Sequence, residues 1–398
     1  MPQVRPITIL LSLSLLPIVL CGQSVEDPDS SIQVTFSFGG YAKLDWLITR
    51  YFDGEPDASN AIRDIYLPGS IPIGGELTGA DTEIHARESR VNFEVKSRIF
   101  NSPARMFLEM DFLLSKAGDE RVSNSYNPRL RHFFFESKYF LFGQTWTTFM
   151  TPEALPDGII FVNGADGIVF IRQAQVRIKY KGWSFGFENP ETTLLPYQEQ
   201  QFATSTGGFP DLIAKYTLSK QWGTIAFAGI YRTLRYANDT GDRYYASGYG
   251  LNASGRINVG MRDDFRFMVS TGEGLGRYIA FQFLTGTTLD QNDELHTIGG
   301  VNAMGAYSHH WSPKWRSSIM YSFVWAEDQS EFTGGNANQY AWSTSANLLF
   351  APHPQLLAGF QALYGYRRAE NDINGSMMRL QLSLRYNFNF SFSTREGD

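Results

Sequence analysis

Residues 378–388, MRLQLSLRYNF, alternate strictly between apolar and polar side chains. One face of this stretch carries Met378, Leu380, Leu382, Leu384, Tyr386 and Phe388. The opposite face carries Arg379, Gln381, Ser383, Arg385 and Asn387. A period of two places successive side chains on opposite faces of a β-strand, whereas a helix repeats its apolar residues every three or four positions. The stretch therefore predicts a strand with one apolar face and one polar face.

The same alternation recurs along most of the chain. It is clear in residues 90–96, 173–180, 183–188 and 315–325, and no segment sustains helical spacing. Phe, Trp and Tyr together make up 15% of the residues, there are 37 glycines, and charged residues fall to 19%. Soluble domains average about 25% charged residues. Aromatic and glycine enrichment with alternating strands is typical of transmembrane β-barrels.

Composition also excludes several classes of protein. After residue 22 no apolar run approaches the roughly 18 residues that a membrane helix requires. The formal net charge of −6 gives no reason to expect a nucleic-acid partner. The hydrophobic content of 43% is too high for a disordered chain.

Residues 1–22 are predicted to be a signal peptide. Arg5 precedes an apolar stretch over residues 7–20, and Cys21 and Gly22 offer small residues for cleavage. Cys21 is the single cysteine, so the mature body has no disulfide and no thiolate metal or redox centre. A lipid-modified Cys21 is an alternative to ordinary cleavage, although Leu20 occupies the place where lipoprotein signals want a small residue.

The connections between the predicted strands alternate in length. Short turns are predicted near residues 101–103, 181–182, 260–264, 311–314 and 351–355, where glycine and proline accumulate. Long polar loops are predicted near residues 52–83, 190–209, 276–293 and 326–338. Short turns at one end and long loops at the other are typical of bacterial outer-membrane barrels. We predict an all-β protein, a transmembrane antiparallel β-barrel of about 16 strands in the bacterial outer membrane, surrounded by its lipids.

A soluble sandwich or propeller is the competing all-β interpretation. Such folds bury a face rich in Val, Ile and Leu. Here the apolar face is heavy in aromatic residues, and the opposite face carries opposite charges that a dry core would tolerate only at a high cost. A water-filled lumen accommodates these charges, so the barrel is favoured.

Several motifs carry a resemblance to a known family. Residues 131–132, 142–149, 155–157 and 170–178 resemble the DcaP-like trimeric porin family, with GQTWTTF at 143–149 as the strongest motif. Residues 364–368 and 379–388 are similar to the last hairpin of that family. The resemblance covers nearly the whole chain from Gly40. It implies a homotrimer of sixteen-stranded barrels that lets small anionic solutes such as dicarboxylates cross the outer membrane.

The two ends of the chain depart from this family pattern. Relatives can carry an N-terminal coiled coil, but residues 23–32 are too short for two heptads. The chain also continues past Phe388, and Phe390 or Phe392 could equally serve as the terminal aromatic assembly signal. The predicted organisation is a signal peptide at 1–22, a short segment at 23–35, the barrel at 36–392 and an extension at 393–398.

Residues 147–167 are predicted to form a constriction loop folded into the barrel. The segment contains Pro152, Pro156 and the apolar run 159–161, which is too apolar for a fully solvated surface loop. Resemblance to general porins points the same way. An ordinary external loop remains the alternative.

Selectivity is predicted to depend on charged side chains near this loop. By alternation Lys43, Arg90, Arg177 and Lys179 face the lumen, and the resemblance helps to place Arg131 and Arg172 there. Glu109 and Asp111 are the predicted acidic counterweight, and Glu153 and Asp157 are the predicted negative edge of the loop. For any single residue, a mere ion pair with a neighbouring side chain is an equal alternative to solute contact.

We also considered an outer-membrane lipid hydrolase and a plugged structural barrel. A hydrolase needs a nucleophile and a base, and no HExxH, GxSxG or phosphate-loop motif is present. We therefore predict a porin and not an enzyme, with no catalytic residues, no cofactor and no metal site.

Deleting residues 23–32 is expected to leave the oligomer intact. This segment contains Glu26, Asp27, Pro28 and Asp29 and has no apolar seam with which chains could associate. Size-exclusion chromatography in detergent should give the same oligomer for the deletion variant and the full-length protein. Monomers with intact barrels would contradict this expectation.

Overall fold

The computed structural model describes residues 34–77, 79–99, 101–114, 125–199, 201–206, 208–238 and 240–394. The predicted signal peptide and most of the segment 23–35 lie outside these residues, as does most of the predicted extension at 393–398. No helix in the described part of the chain is long and apolar enough to cross a membrane.

Antiparallel strands dominate the structure, and seventeen of them form one closed sheet. These strands are β1 (Val34–Tyr51), β2 (Ala80–His85), β3 (Arg90–Ile99), β4 (Ser102–Asp111), β5 (Arg129–Ser137), β6 (Phe140–Trp146), β7 (Arg172–Tyr180), β8 (Trp183–Glu188), β11 (Asp211–Lys220), β12 (Gly223–Ala237), β13 (Arg243–Val259), β14 (Asp263–Glu273), β17 (Gly299–His310), β18 (Trp315–Ala326), β19 (Asn338–His353), β20 (Leu356–Ala369) and β21 (Asn374–Thr394). Strands are numbered in chain order, and the numbers missing from this series belong to four strands of a smaller sheet, described below.

The large sheet is a barrel with sixteen strand positions. Strand β3 pairs with residues 35–41 of β1, and strand β2 pairs with residues 45–50 of the same strand. The two strands therefore lie end to end and occupy a single position in the barrel. Strand β1 also pairs with β21 along its whole length, from Val34 opposite Thr394 to Tyr51 opposite Met377. This pairing closes the barrel and confirms the predicted architecture.

The smaller sheet, which we call the loop sheet, is built from the long connections. It contains β9 (Glu191–Leu195), β10 (Ala203–Thr206), β15 (Thr287–Leu289) and β16 (Leu295–Thr297). Strands β9 and β15 pair in parallel and the other two pairs are antiparallel. The helical segments are short and lie in the same connections: Ala61–Arg63, Pro68–Ser70, Pro152–Ala154, Ala165–Gly167, Gly276–Tyr278 and α1 (Ser330–Thr333).

Side-chain exposure follows the alternation seen in the sequence. On β21, Leu382 and Leu384 are exposed on the outer wall, while Gln381 and Ser383 are buried inside. The aromatic and aliphatic residues of the other strands also face outward, for example Phe93 and Val176. An outward apolar band around a polar interior is the arrangement that lipid requires.

The barrel interior contains an apolar cluster that the sequence analysis did not predict. Three connections at the long-loop end contribute to it, residues 52–79, 147–171 and 274–298. They bury Ile62, Phe149, Ile168 and Ile279 against inward-facing wall residues such as Met304. The first and third connections were predicted as long polar loops. Residues 278–284 of the third connection form a dense apolar run, but the run shows no period-two alternation, and tertiary packing buries it in the lumen.

An arginine on the outer wall should destabilise the barrel. Ile319 on β18 is 61% exposed and faces outward, so Ile319→Arg would place a charge against lipid. We expect a loss of about 2–4 kcal/mol if the position lies near the bilayer midplane, measured by denaturant unfolding in lipid vesicles. Met261→Arg is the matched control because Met261 is 98% exposed in the turn between β13 and β14. Equal losses for both variants would contradict a lipid-facing wall at Ile319.

Candidate functional site

Residues 147–171, which we call the constriction loop, leave the wall after β6 and turn into the lumen. Glu188 on β8 accepts hydrogen bonds from the Thr147 hydroxyl and the Thr148 N–H, both at 2.6 Å. Arg177 on β7 donates to the Trp146 carbonyl at 2.6 Å and to the Thr148 hydroxyl at 2.9 Å. A carboxylate and a guanidinium on neighbouring strands therefore fix the direction in which the loop starts.

The middle of the constriction loop is fixed to the opposite part of the wall. Lys43 on β1 donates to the Ile159 carbonyl at 2.6 Å, and Gln381 on β21 donates to the same oxygen at 3.1 Å. Gln361 on β20 accepts the Ile159 N–H at 3.0 Å. A Cβ at Gly158 would lie 2.6 to 2.7 Å from side-chain atoms of Asn163 and Gln361, so a larger residue there would displace these two amide groups.

Two arginines hold the segment between these points. Arg266 on β14 donates to the Leu155 carbonyl at 2.5 Å, and Arg316 on β18 pairs with Asp157 at 2.5 Å. Asp157, a predicted member of a negative edge, is thus engaged by a wall cation. Glu153 is exposed, and no basic side chain among the described residues lies within 4.0 Å of its carboxylate.

Asp166 anchors the last part of the constriction loop and is fully buried. Its carboxylate accepts hydrogen bonds from Tyr66 at 2.9 Å, from Ser322 at 2.8 Å and from Ser343. Burial raises the pKa of this carboxyl to about 6, and the three hydroxyl donors oppose the rise without cancelling it. Tyr66 belongs to the connection 52–79, so Asp166 joins two in-folded segments to the wall.

A group of basic side chains faces the constriction loop from the wall. We call it the basic cluster, and its members are Lys43, Arg90, Arg129, Arg131, Arg172 and Arg385. The guanidinium carbons of Arg90 and Arg385 lie 5.1 and 5.3 Å from the Tyr41 ring centroid. Those of Arg129 and Arg131 lie 5.6 and 5.5 Å from the ring of Phe161, which belongs to the constriction loop.

Arg172 lies at the point where the constriction loop rejoins the wall. Its guanidinium carbon is 4.8 Å from the Trp146 ring centroid and 5.7 Å from that of Phe170. Strict alternation along β7 would have turned Arg172 outward with Ala174. Its place beside Phe170 follows from the chain bending into the lumen.

Acidic side chains neutralise part of the basic cluster. Glu109 pairs with Arg131 at 2.8 Å and with Arg90 at 3.4 Å. Asp111 binds Arg129 through two bonds of 2.8 Å and Arg131 at 2.9 Å. The predicted acidic counterweight is therefore in direct contact with the predicted bases.

The remaining members differ in how they are paired. Lys43 is buried and bonds to Glu88 at 2.5 Å and Asp45 at 3.3 Å. Within the described residues, Arg172 and Arg385 form no ion pair within 4.0 Å. These two guanidinium groups are thus the ones in the cluster whose charge no neighbouring carboxylate takes up.

The structure separates the predicted site residues into two sets. Lys43, Arg90, Arg131, Arg172, Glu109 and Asp111 come together beside the constriction loop. Arg177 bonds to the start of the loop, and Lys179 pairs with Glu136 at 2.6 Å. The alternation along β7 therefore gave the correct face for both of these residues but no information on their bonding partners.

Sequence reasoning missed two members of the basic cluster. Arg385 stands on the polar face of residues 378–388, so the alternation contained the signal to place it in the lumen. Arg129 lies two residues before Arg131, and a register shift at Glu109 and Met110 accommodates this part of β5. Such an irregularity cannot be read from a period of two.

One group of possible cation ligands lies in the loop sheet. Ligand atoms of Asp290, Glu294 and His296 lie within 4.8 Å of one another. One Asp290 oxygen already accepts the backbone N–H groups of Asn292 and Glu294 at 2.8 and 3.0 Å. These turn bonds account for the arrangement without an ion.

A closed sixteen-stranded barrel with a loop anchored across its lumen is the architecture of the outer-membrane porins. A family model described as DcaP outer membrane protein matches residues 24–388, and the chain belongs to this family. It is accordingly a bacterial outer-membrane protein of a channel family. The resemblance seen in the sequence is confirmed.

Solved structures share the fold at low sequence identity. The crystal structure of the outer membrane channel DcaP of Acinetobacter baumannii has a TM-score of 0.71 and 18% identity, covering 89% of this chain and 97% of that one. An anion-selective porin from Comamonas acidovorans has a TM-score of 0.54 and 9% identity, and the match covers 89% of this chain and 100% of that one. Salmonella typhi OmpF in complex with daunomycin has a TM-score of 0.55 and 11% identity, and the match covers 89% of this chain and 97% of that one. No curated protein sequence matches the chain significantly.

The buried Asp166 should make stability depend on pH. Its pKa of about 6 lies above the ordinary value of 3.8. The folded protein therefore holds a proton in this interval that the unfolded chain releases, so stability should rise as pH falls from about 6 to 4. The two pKa values correspond to a change on the order of 3 kcal/mol.

Asp166→Asn should remove this part of the pH dependence because asparagine stays neutral. Denaturant unfolding midpoints between pH 4 and pH 8 would measure it, with Asp157→Asn as the control for a partly exposed, ion-paired carboxylate. An unchanged pH profile in Asp166→Asn would show that Asp166 does not titrate in this range.

Proposed function

We propose that the protein is a passive channel for small anionic solutes, with dicarboxylate-like organic acids as the solute class. The observation that carries this proposal is the position of Arg172 and Arg385. Arg172 lies beside Phe170 of the constriction loop, Arg385 lies beside Tyr41 and opposite Lys43 in the β1–β21 register, and neither has a carboxylate partner in the described residues. They remain available for a carboxylate that passes through the lumen.

The chemistry of arginine supports a carboxylate as the solute. Its planar guanidinium can hold a carboxylate through two parallel hydrogen bonds. Two free guanidinium groups on different strands suit a solute with two acidic groups. Arg172 and Arg385 are accordingly the proposed contact residues.

The charge balance around the loop supports anion preference. The six bases of the basic cluster face the four carboxylates of Asp45, Glu88, Glu109 and Asp111, which leaves a formal surplus of two positive charges. At a narrow passage this local surplus acts on the ion more strongly than the distant charges that make the whole chain −6. Arg90 and Arg131 contribute to the field although they are paired.

Arg177, Lys179 and Glu153 have different proposed roles. Arg177 holds the start of the constriction loop, and the Lys179 pair with Glu136 fills the lumen at the turn end of the barrel. Glu153 is exposed on the constriction loop, and Asp157 is bound by Arg316. These residues would affect selectivity through the shape of the loop more than through solute contact.

We further propose a homotrimer held together by the barrel walls. One structure with the same fold, at 12% identity and a TM-score of 0.52, is described as the trimer form of OmpT from Vibrio cholerae. Residues 23–32 contain no apolar seam with which chains could associate, so the proposed contacts come from the outward apolar face. A structure with the same fold, the porin from Comamonas acidovorans, is described as anion-selective, which supports the proposed selectivity.

Replacing the two free arginines should shift ion preference toward cations. We propose to measure the double variant Arg172→Gln/Arg385→Gln, together with the two single variants, in planar bilayers under a salt gradient. Its reversal potential should move toward that of a cation-selective channel. The shift should shrink near 1 M salt, where the Debye length falls to about 3 Å. Addition of a dicarboxylic acid should reduce the chloride current of the wild type more than that of the double variant.

Lys220→Gln removes one positive charge and is the charge-matched control for Arg172→Gln and Arg385→Gln taken singly. Lys220 is exposed at the end of β11, so its removal changes net charge without changing the basic cluster. The proposal fails if the double variant is folded and its low-salt reversal potential equals that of the wild type. It also fails if Lys220→Gln produces the same shift.

A further inference from the structure

A second in-folded segment reaches the constriction loop. Within the connection 274–298, three consecutive residues have left-handed backbone conformations: Ala280 with φ 46°, Phe281 with φ 58° and Gln282 with φ 60°. This region is unfavourable for residues with a Cβ, and such runs persist only where the surrounding structure holds them. The turn is therefore imposed by its contacts.

A buried polar network provides those contacts. Arg232 on β12 is fully buried and donates to the carbonyls of Gly274 at 2.6 Å and Leu275 at 3.1 Å. It also pairs with Asp211 at 3.1 Å, and Asp211 accepts the Tyr278 hydroxyl at 2.9 Å. The segment that leads into the left-handed turn is thus tied to two wall strands.

The turn presents Phe281 to the constriction loop. The Ala280 N–H donates to the Ile168 carbonyl at 3.1 Å, which joins the two in-folded segments directly. The Phe281 and Phe170 rings lie 5.1 Å apart, and the Phe170 ring lies 4.5 Å from that of Trp146. Three aromatic rings from two segments and the wall therefore form one continuous contact.

Phe281 lies between two regions of the lumen. On the long-loop side it borders a cavity of about 410 Å³, whose lining also includes Leu195, Phe202, Phe283 and Arg367. On the other side its neighbour Phe170 contacts Arg172 of the basic cluster. Phe281 is partly exposed, so it is not simply a core residue of the barrel.

We propose that Phe281 is a specificity-determining residue that, with Phe170, narrows the passage between the outer cavity and the basic cluster. The proposal rests on the proposed passive pathway through the lumen. The polar network and the left-handed turn hold the ring in position, so the width of the passage is set by this connection as well as by the constriction loop. Phe281 limits solutes by size and shape, whereas the basic cluster selects them by charge.

Phe281→Ala tests the size limit. We expect single-channel conductance to rise about twofold, because a pore's narrowest part dominates its resistance. In liposome-swelling assays, uptake of large neutral sugars should increase more than uptake of small ones. Phe202→Ala is the matched control, since Phe202 borders the same cavity and is 60% exposed, whereas Phe281 is the residue whose ring packs on Phe170.

Thiol labelling provides a second measurement on the same residue. The single native cysteine, Cys21, is replaced by serine, and Phe281→Cys and Phe202→Cys are compared. A methanethiosulfonate reagent should reduce the current through Phe281→Cys and leave that of Phe202→Cys nearly unchanged. Folding is checked by the different gel mobility of unheated and boiled barrels.

The outcomes separate this inference from the proposed function. A folded wild-type protein that conducts no ions would overturn the proposed channel and this inference together. A conducting wild type whose Phe281→Ala variant keeps its conductance and size limit, with no effect of labelling at residue 281, would overturn the role of Phe281 alone. If Phe281→Ala does not fold, the labelling result decides.

Discussion

Closure of the backbone hydrogen-bond network is the constraint on which the whole structure depends. In a bilayer no water is available to the N–H and C=O groups of an open strand edge, so a sheet that crosses it has to close on itself. Here the closure is the pairing of β1 with β21 over Val34–Tyr51, which joins the first and last strands of the described chain. The outward apolar face and the polar lumen follow from that closure, because each strand then has lipid on one side and the interior on the other.

The polar interior explains why the lumen can be shaped by buried charges. Lys43, Arg266 and Arg316 each use a charged group to hold the constriction loop, through bonds of 2.5 to 2.6 Å to loop oxygens. Isolated charges would be costly in a dry core, but here each one has a carbonyl or carboxylate partner. Within the described residues, Arg172 and Arg385 have no carboxylate partner, and they are therefore the proposed solute contacts. Basic residues therefore have two roles here: those paired with loop oxygens hold the constriction loop, and those without a carboxylate partner are the proposed basis of selectivity.

The lumen is narrowed by more than one segment. The constriction loop carries the aromatic rings of Phe161 and Phe170, and the connection 274–298 adds Phe281. Asp166 links the constriction loop to Tyr66 of the connection 52–79, so all three in-folded segments belong to one packed unit. These contacts hold the three segments in one arrangement inside the barrel.

The sequence by itself determined the barrel, its approximate strand number and the lumen-facing side of Lys43, Arg90 and Arg177, and it favoured an in-folded constriction loop over an external loop. These features follow from alternation, from composition and from a local motif, all of which are short-range properties of the chain. Tertiary structure alone decided which of the predicted bases are neutralised, that Arg385 lies beside Tyr41 on β1 while Arg172 lies beside Phe170 of the constriction loop, and that residues 274–298 enter the lumen. Pairing partners such as Asp157 and Arg316 are 159 residues apart, and a left-handed turn at Phe281 depends on Arg232 and Asp211 in other strands. Periodicity fixes the face on which a side chain lies, but the closed wall fixes which faces meet across the lumen.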